Sequence, residues 1–365
     1  MKKIIWTIII IAIIAGAVFL FGGDKDISKN NPIKIGAILP LTGEQAFVGE
    51  GIKDSILLAK SKIKNTKYTY ELIFEDSALN PKVAASAAQK LIDIDKVDVI
   101  ISVYANIGNI VSPVVEKNKV VHFGIAFDPN IAKGEYNFIH WTPPSEMIPL
   151  FKKEILKRNI NKLSILKLNH QGPESIYKEL IHSLEGSNIK IVGTETIQPG
   201  TRDFKSSIVK LSQNKPDLYL LLVLPPELEI ATREIKELGI IKPLSTIFYF
   251  ELSPNKETFN NLWYIGSASP SDDFSQEYTE KYKKSVMPGA ANAYDIFNMI
   301  VFSAENYAKN NNIFKLTTED LVKELLKISS FDGVLGKLSI NQEGIVLSKG
   351  ELKIIKDGNS VKLEN

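Results

Sequence analysis

Few residues of this chain have types and spacings that could do chemistry, and most chemistries fail on that test. His122, His140, His170 and His182 share no metal-ligand spacing and no H-E-x-x-H neighbourhood, so no metal centre is expected. His170, just beyond a strand end, is the histidine best placed to touch a ligand. No serine stands in a G-x-S-x-G elbow, which leaves a hydrolase unsupported. Neither G-x-x-x-x-G-K-[ST] nor G-x-G-x-x-G joins a strand to a helix; Gly49-Glu50-Gly51 comes nearest, and its continuation is that of a helix start. The absence of cysteine excludes thiolate sites, cysteine nucleophiles, disulfides and a lipid-modified cysteine. With no paired carboxylates either, neither an enzyme nor a bound cofactor is expected.

What remains is a set of residues at predicted strand ends: Phe47, Tyr104, Asn106, Phe127, Asp128, Leu224, Tyr249, Phe250 and Glu251. In doubly wound sheets ligands sit outside the carboxyl ends of the strands. A lining this aromatic, with few polar groups, fits a small organic molecule.

The elements that must position these residues follow an alternating pattern. Strands are predicted at 34–39, 68–74, 98–101 and 120–125, with helices at 48–62, 81–94 and 107–117 between them. The strands are continuous Val/Ile runs, as expected for parallel strands buried on both faces. Prolines at 143, 144 and 149 interrupt the rhythm, and a crossing between two lobes is expected there. The alternation restarts with strands at 162–168, 190–196, 218–223 and 244–250 and helices at 174–184, 204–213 and 227–238. The tail adds helices at 273–284, 292–310 and 318–327 and hairpin strands at 335–340 and 351–355. The fold class is therefore α/β, two doubly wound parallel-sheet lobes, in keeping with a length of 365 residues.

The 44 basic and 42 acidic side chains balance once Lys2 and Lys3 are set aside, which leaves no footprint for nucleic acid. Behind those two lysines, Ile4 to Phe21 form 18 uncharged residues. The small-residue site Ala15-Gly16-Ala17 lies inside the run rather than after it, so an uncleaved anchor is favoured over a signal peptide. Lys2 and Lys3 then stay cytoplasmic and the body lies outside the membrane, behind the polar tether Gly22 to Asn31.

Five stretches, in order, resemble one family: IGAILPLTGEQAFVGEGI, FEDSALNPKVAASAAQKLIDIDKVDVIIS, SPVVEKNKVVHFGIA, GTRDFKSSIVKLSQNKPDLYLLL and FDGVLGKLSINQEG. The chain is similar to the type I periplasmic solute-binding proteins of the leucine/isoleucine/valine-binding class. The resemblance implies three hinge crossings, ligand held in the cleft by closure, and delivery to ABC permease subunits in the membrane. It divides the chain into residues 1–31 as membrane segment and tether, 32–143 with 271–333 as one lobe, and 144–270 with 334–365 as the other.

The same resemblance marks departures at the site. A serine that holds the ligand carboxylate falls at Ala105, between Tyr104 and Asn106, and a threonine after the fourth strand falls at Ala126. Two cleft tyrosines fall near Gly172 and Leu224, and the cysteines of a first-lobe disulfide near Ala78 and Tyr104. The acid that pairs with a ligand ammonium falls at Glu251, with Asp128 a second candidate. The expected ligand thus has a large apolar or aromatic surface and at most one strong polar end. The ligand-binding set is Phe47, Tyr104, Ala105, Asn106, Ala126, Phe127, Gly172, Leu224, Tyr249 and Glu251. A sensory module reporting to a membrane signalling partner is the alternative to a transport receptor.

Overall fold

The computed structural model describes residues 32–43, 45–311 and 315–363. The expected anchor at Ile4 to Phe21 and its tether lie outside them. The first sheet contains β1 (Ile33–Leu39), β2 (Tyr70–Asp76), β3 (Val99–Val103), β4 (Val121–Ile125) and β5 (Asn137–His140), parallel in the order β2-β1-β3-β4-β5. Alternate residues of these strands bury on opposite faces. Ile38 and Ile100 pack with α2 (Pro81–Lys90) and α3 (Ala105–Asn118), whereas Ala37, Ile101 and Phe123 face α1 (Ala46–Lys62). The helix predicted at 81–94 ends in a π-helical turn, Leu91–Asp95.

The second sheet runs β7-β6-β8-β9, all parallel, from β6 (Lys162–Leu168), β7 (Lys190–Ile197), β8 (Leu218–Leu222) and β9 (Leu244–Ser245). A single bridge from Ile247 to Ile265 joins it to β10 (Trp263–Gly266). Its helices are α4 (Pro144–Lys157), α5 (Gln171–Leu184), α6 (Lys205–Gln213) and α7 (Glu227–Glu237). The tail returns through α8 (Asp272–Tyr282), α9 (Ala290–Asn311) and α10 (Thr318–Leu325), and α9 packs along α1, where Ser55 Oγ donates to the Ala290 carbonyl at 2.6 Å. The whole is α/β with two doubly wound, mainly parallel sheets and a small antiparallel sheet built on β10.

One strand expectation and one lobe boundary are corrected. The run predicted at 244–250 stops after Ser245, because Phe248 takes a left-handed backbone (φ 78°) and the chain turns into a 3-10 helix, Tyr249–Leu252. The boundary expected at 334 also moves. β11 (Phe331–Gly333), β12 (Gly336–Ile340) and β13 (Ile345–Leu347) extend the first sheet, because β13 pairs in parallel with β5 and buries Val346 completely. Only β14 (Glu351–Lys356) and β15 (Asn359–Lys362) join β10.

The chain therefore passes between the sheets three times: after β5, after β10 and between β13 and β14. Thr142, in the first crossing, shares a 2.8 Å hydrogen bond with the Ser348 hydroxyl of the third. Its Oγ1 also accepts from the Ala268 N–H of the second at 3.3 Å.

Candidate functional site

The strand ends of the two sheets meet across a cleft. On the first-sheet side, Tyr104 caps α3 with a left-handed backbone (φ 71°). A bulky residue adopts that conformation only at a cost of order 1–3 kcal/mol. Its hydroxyl donates to Gln45 Oε1 at 3.2 Å, tying the loop after β3 to the one after β1. Burial pushes the phenol up to about 12. Ala105 is half-buried, Asn106 is exposed on the first turn of α3, and Phe47 is 49% exposed at the start of α1. Ala126 is buried beyond β4, beside the half-buried Phe127.

On the other side, Gly172 is buried at the start of α5, Leu224 is half-buried beyond β8, and Tyr249 and Glu251 occupy the 3-10 turn. Three of these predicted residues come together across the cleft. A Cβ on Gly172 would lie 3.3 Å from both the Phe127 ring and the Tyr249 hydroxyl. Phe127 also meets the edge of Phe248, with ring centroids 5.8 Å apart, and Trp141 meets Phe248 from another side at 5.1 Å. The buried Tyr249 hydroxyl has no hydrogen-bond partner among the described residues, and burial holds its pKa well above the usual phenol range. Beside this aromatic cluster, Asn109 Nδ2 spans the cleft to Gln171 Oε1 at 3.2 Å.

A cavity of ≈ 370 Å³ opens next to Trp141, bounded by the second crossing, the loop Met287–Gly289 and the 3-10 turns. Of the ten predicted residues, Glu251 lines it. Sequence reasoning missed Trp141, Lys256, Asn292 and Lys353, which also line it. Trp141 comes from a crossing, Lys256 from a 3-10 turn, and Asn292 and Lys353 from the tail, where no local pattern marks a site.

The two predicted acids are both engaged by the chain itself. Glu251 Oε1 accepts from the buried Lys353 Nζ at 2.6 Å, and its Oε2 from Ser267 Oγ at 2.6 Å. Asp128 accepts from Asn109 Nδ2 at 2.7 Å and from both the backbone and side-chain N–H of Asn130. Lys256 stands on the cavity wall without an ion-pair or hydrogen-bond partner among the described residues, and burial pulls its pKa down against the opposing charge of Glu251. His170 caps α5, accepting from the Gly172 N–H at 3.4 Å. Ser102 and His122 stand 2.8 Å apart like a nucleophile and base, yet both are fully buried within β3 and β4, beyond a substrate's reach.

Two doubly wound lobes, three crossings and a cleft at the strand ends define a two-lobed solute-binding receptor. The family model for periplasmic binding proteins matches residues 32–348, and the chain belongs to that family. Among solved structures, a leucine-binding protein from Thermotoga maritima is similar at 20% identity and a TM-score of 0.76, covering 91% of this chain and 98% of its own. A branched-chain amino acid transporter substrate-binding protein from Streptococcus pneumoniae, in complex with isoleucine, shares 20% identity with a TM-score of 0.75, covering 91% and 100%. A solute-binding protein of an ABC transporter from R. palustris, in complex with benzoate, shares 16% with a TM-score of 0.76, covering 91% and 96%. At these identities the likeness shows the fold. No curated protein matches the sequence.

Proposed function

We propose that this protein is the extracytoplasmic receptor of an ABC import system, tethered by Ile4 to Phe21. Its ligand is a small organic molecule with an apolar or aromatic body and one strong polar end. The architecture is that of a periplasmic binding protein and is similar to that of leucine- and isoleucine-binding ones, but a free α-amino acid needs an acid for its ammonium group. Engagement of Glu251 by Lys353 and Ser267, and of Asp128 by Asn109 and Asn130, is the observation that carries this reading. Alanines at 105 and 126 add no hydroxyl for a carboxylate, and each lost hydrogen bond to a charged group removes roughly 1.5–3 kcal/mol. The solved structures similar in fold include proteins described with isoleucine and with benzoate, so the fold accommodates both chemistries.

Isothermal titration with leucine, isoleucine, valine and benzoate tests the proposal. Benzoate is expected to bind more tightly than any of the three amino acids. Micromolar binding of leucine or valine would sink it.

A further inference from the structure

Lys256 has no ion-pair or hydrogen-bond partner among the described residues, and Glu251, the acid that acts on it, is already bonded to Lys353. Lys256 begins a 3-10 turn, Lys256–Phe259, whose Phe259 ring stacks on Phe250 at 4.3 Å, so its backbone is fixed to the cavity wall. Two cations, Lys256 and Lys353, and one anion, Glu251, line the cavity. Lys353 is bonded to Glu251 and lies 3.9 Å from Glu351, which is in turn held by Lys362 at 3.0 Å. Those four charges cancel in pairs and leave Lys256 in excess.

The second unanswered group is the indole N–H of Trp141. The residue is 9% exposed, lines the same cavity, and has no acceptor for its Nε1 proton among the described residues. Buried donors are nearly always paired, so an orphan in a cavity wall marks a place where a partner belongs. Indole and ammonium are donors only. Both missing partners are therefore acceptors, and beside the ammonium the better acceptor is an anion. The rest of the wall includes Val286, Met287 and Pro288, a surface for an apolar body.

We infer that Lys256 is the counter-ion of a carboxylate on the ligand, which makes the solute a small apolar or aromatic monocarboxylic acid; this rests on the receptor reading above. The volume of ≈ 370 Å³ falls within the range of small-molecule sites. Trp141 and Lys256 line one cavity from two different chain segments, so an acid filling it would contact both a crossing and the second lobe.

Titration of the full chain with benzoate and 4-methylpentanoate, against benzamide and 4-methylpentanamide, tests the inference. The acids are expected to bind and the amides to bind at least roughly tenfold more weakly. Lys256→Met is expected to weaken the acids by about ten- to a hundredfold, to leave the amides unchanged, and to melt as the parent does without ligand. Lys256→Arg is expected to recover part of the loss. Acids bound equally by Lys256→Met, amides matching acids, or no binding by either acid would each overturn the inference. Leucine bound more tightly than 4-methylpentanoate would overturn the receptor's proposed selectivity instead, and a loss of leucine affinity in Lys256→Met would still uphold the counter-ion.

Discussion

Residues with no access to the cleft set how this protein responds to pH. His122 and His140 are fully buried, and burial lowers their pKa from the ordinary 6.5 to about 4 and about 3. His122 is held by Ser102 and Asn137, whereas neither ring nitrogen of His140 has a partner among the described residues. Below pH 6.5 the unfolded chain takes up protons that the folded histidines refuse, so stability falls as pH falls towards 4. The loss is on the order of 3 kcal/mol per histidine. Asp295 acts the other way: burial raises its pKa to about 7 against the bonds it accepts from the Val334 and Leu335 N–H groups. Its folded form keeps a proton that the unfolded chain releases, so its contribution declines as pH rises from about 4 to 7. Two histidines outweigh one aspartate. The denaturation midpoint is expected to drop between pH 7 and pH 4.5, and to drop more steeply in Asp295→Asn; a flat or rising midpoint would contradict the assignment.

At the scale of elements, the pair Glu251–Lys353 depends on a glycine in the neighbouring strand. Gly266 ends β10 opposite Glu351 of β14, and a Cβ there would overlap Glu251 Oε1 and come within 3.0 Å of Lys353 Cδ. Gly266→Ala must displace the end of the Glu251 side chain and disturb its bond to the buried Lys353, which still has Glu351 3.9 Å away. Breaking a buried pair costs roughly 3–5 kcal/mol. Chemical denaturation of Gly266→Ala should show a loss short of that full cost, about 1–3 kcal/mol, and one below about 1 kcal/mol would refute the dependence. Gly49 has a similar steric reason: a Cβ there would overlap the Pro40 carbonyl. The glycine pair around Glu50 therefore serves close packing of α1.

What the sequence made legible follows the range of the interactions involved. β3, β4 and β8 read as strands because VIISV, VHFGI and LYLLL are apolar enough to be buried throughout, and local composition reports that. β5 and β10 went unread because four residues carry little pattern and their burial is set by distant partners, β13 and β14. The left-handed turn at Phe248 was hidden for the same reason, since the aromatic contacts to Phe127 and Trp141 that hold it come from elsewhere. At the site, the strand ends pointed to an aromatic lining with Phe127 and Tyr249, and the family resemblance pointed to Gly172, which the fold brings beside them. The engagement of Glu251 was not, because Lys353 lies far along the chain.

For the whole molecule, the distribution of charge and of apolar residues separates a neutral two-lobed body from the N-terminal run. If Ile4 to Phe21 is retained as an anchor, N-terminal sequencing should find the mature chain beginning at or next to Met1, and the protein should partition with membranes. A mature terminus near residues 22–26 would identify a cleaved signal instead. Closure between the lobes also has a direct signature in the contacts of Phe127 with Phe248 and of Asn109 with Gln171, both of which a wider cleft would break. A ligand that favours closure must do so through differential affinity for this form.

The hydroxyl of Thr142 has a mechanical meaning. All three crossings touch this one buried group, through Ser348 and the Ala268 N–H, so they are not three independent straps. A rotation that strains one bond is felt by the others, as at a pin joint. The freedom left to the lobes is then a swing about this shared point, with sliding of one crossing past another opposed there.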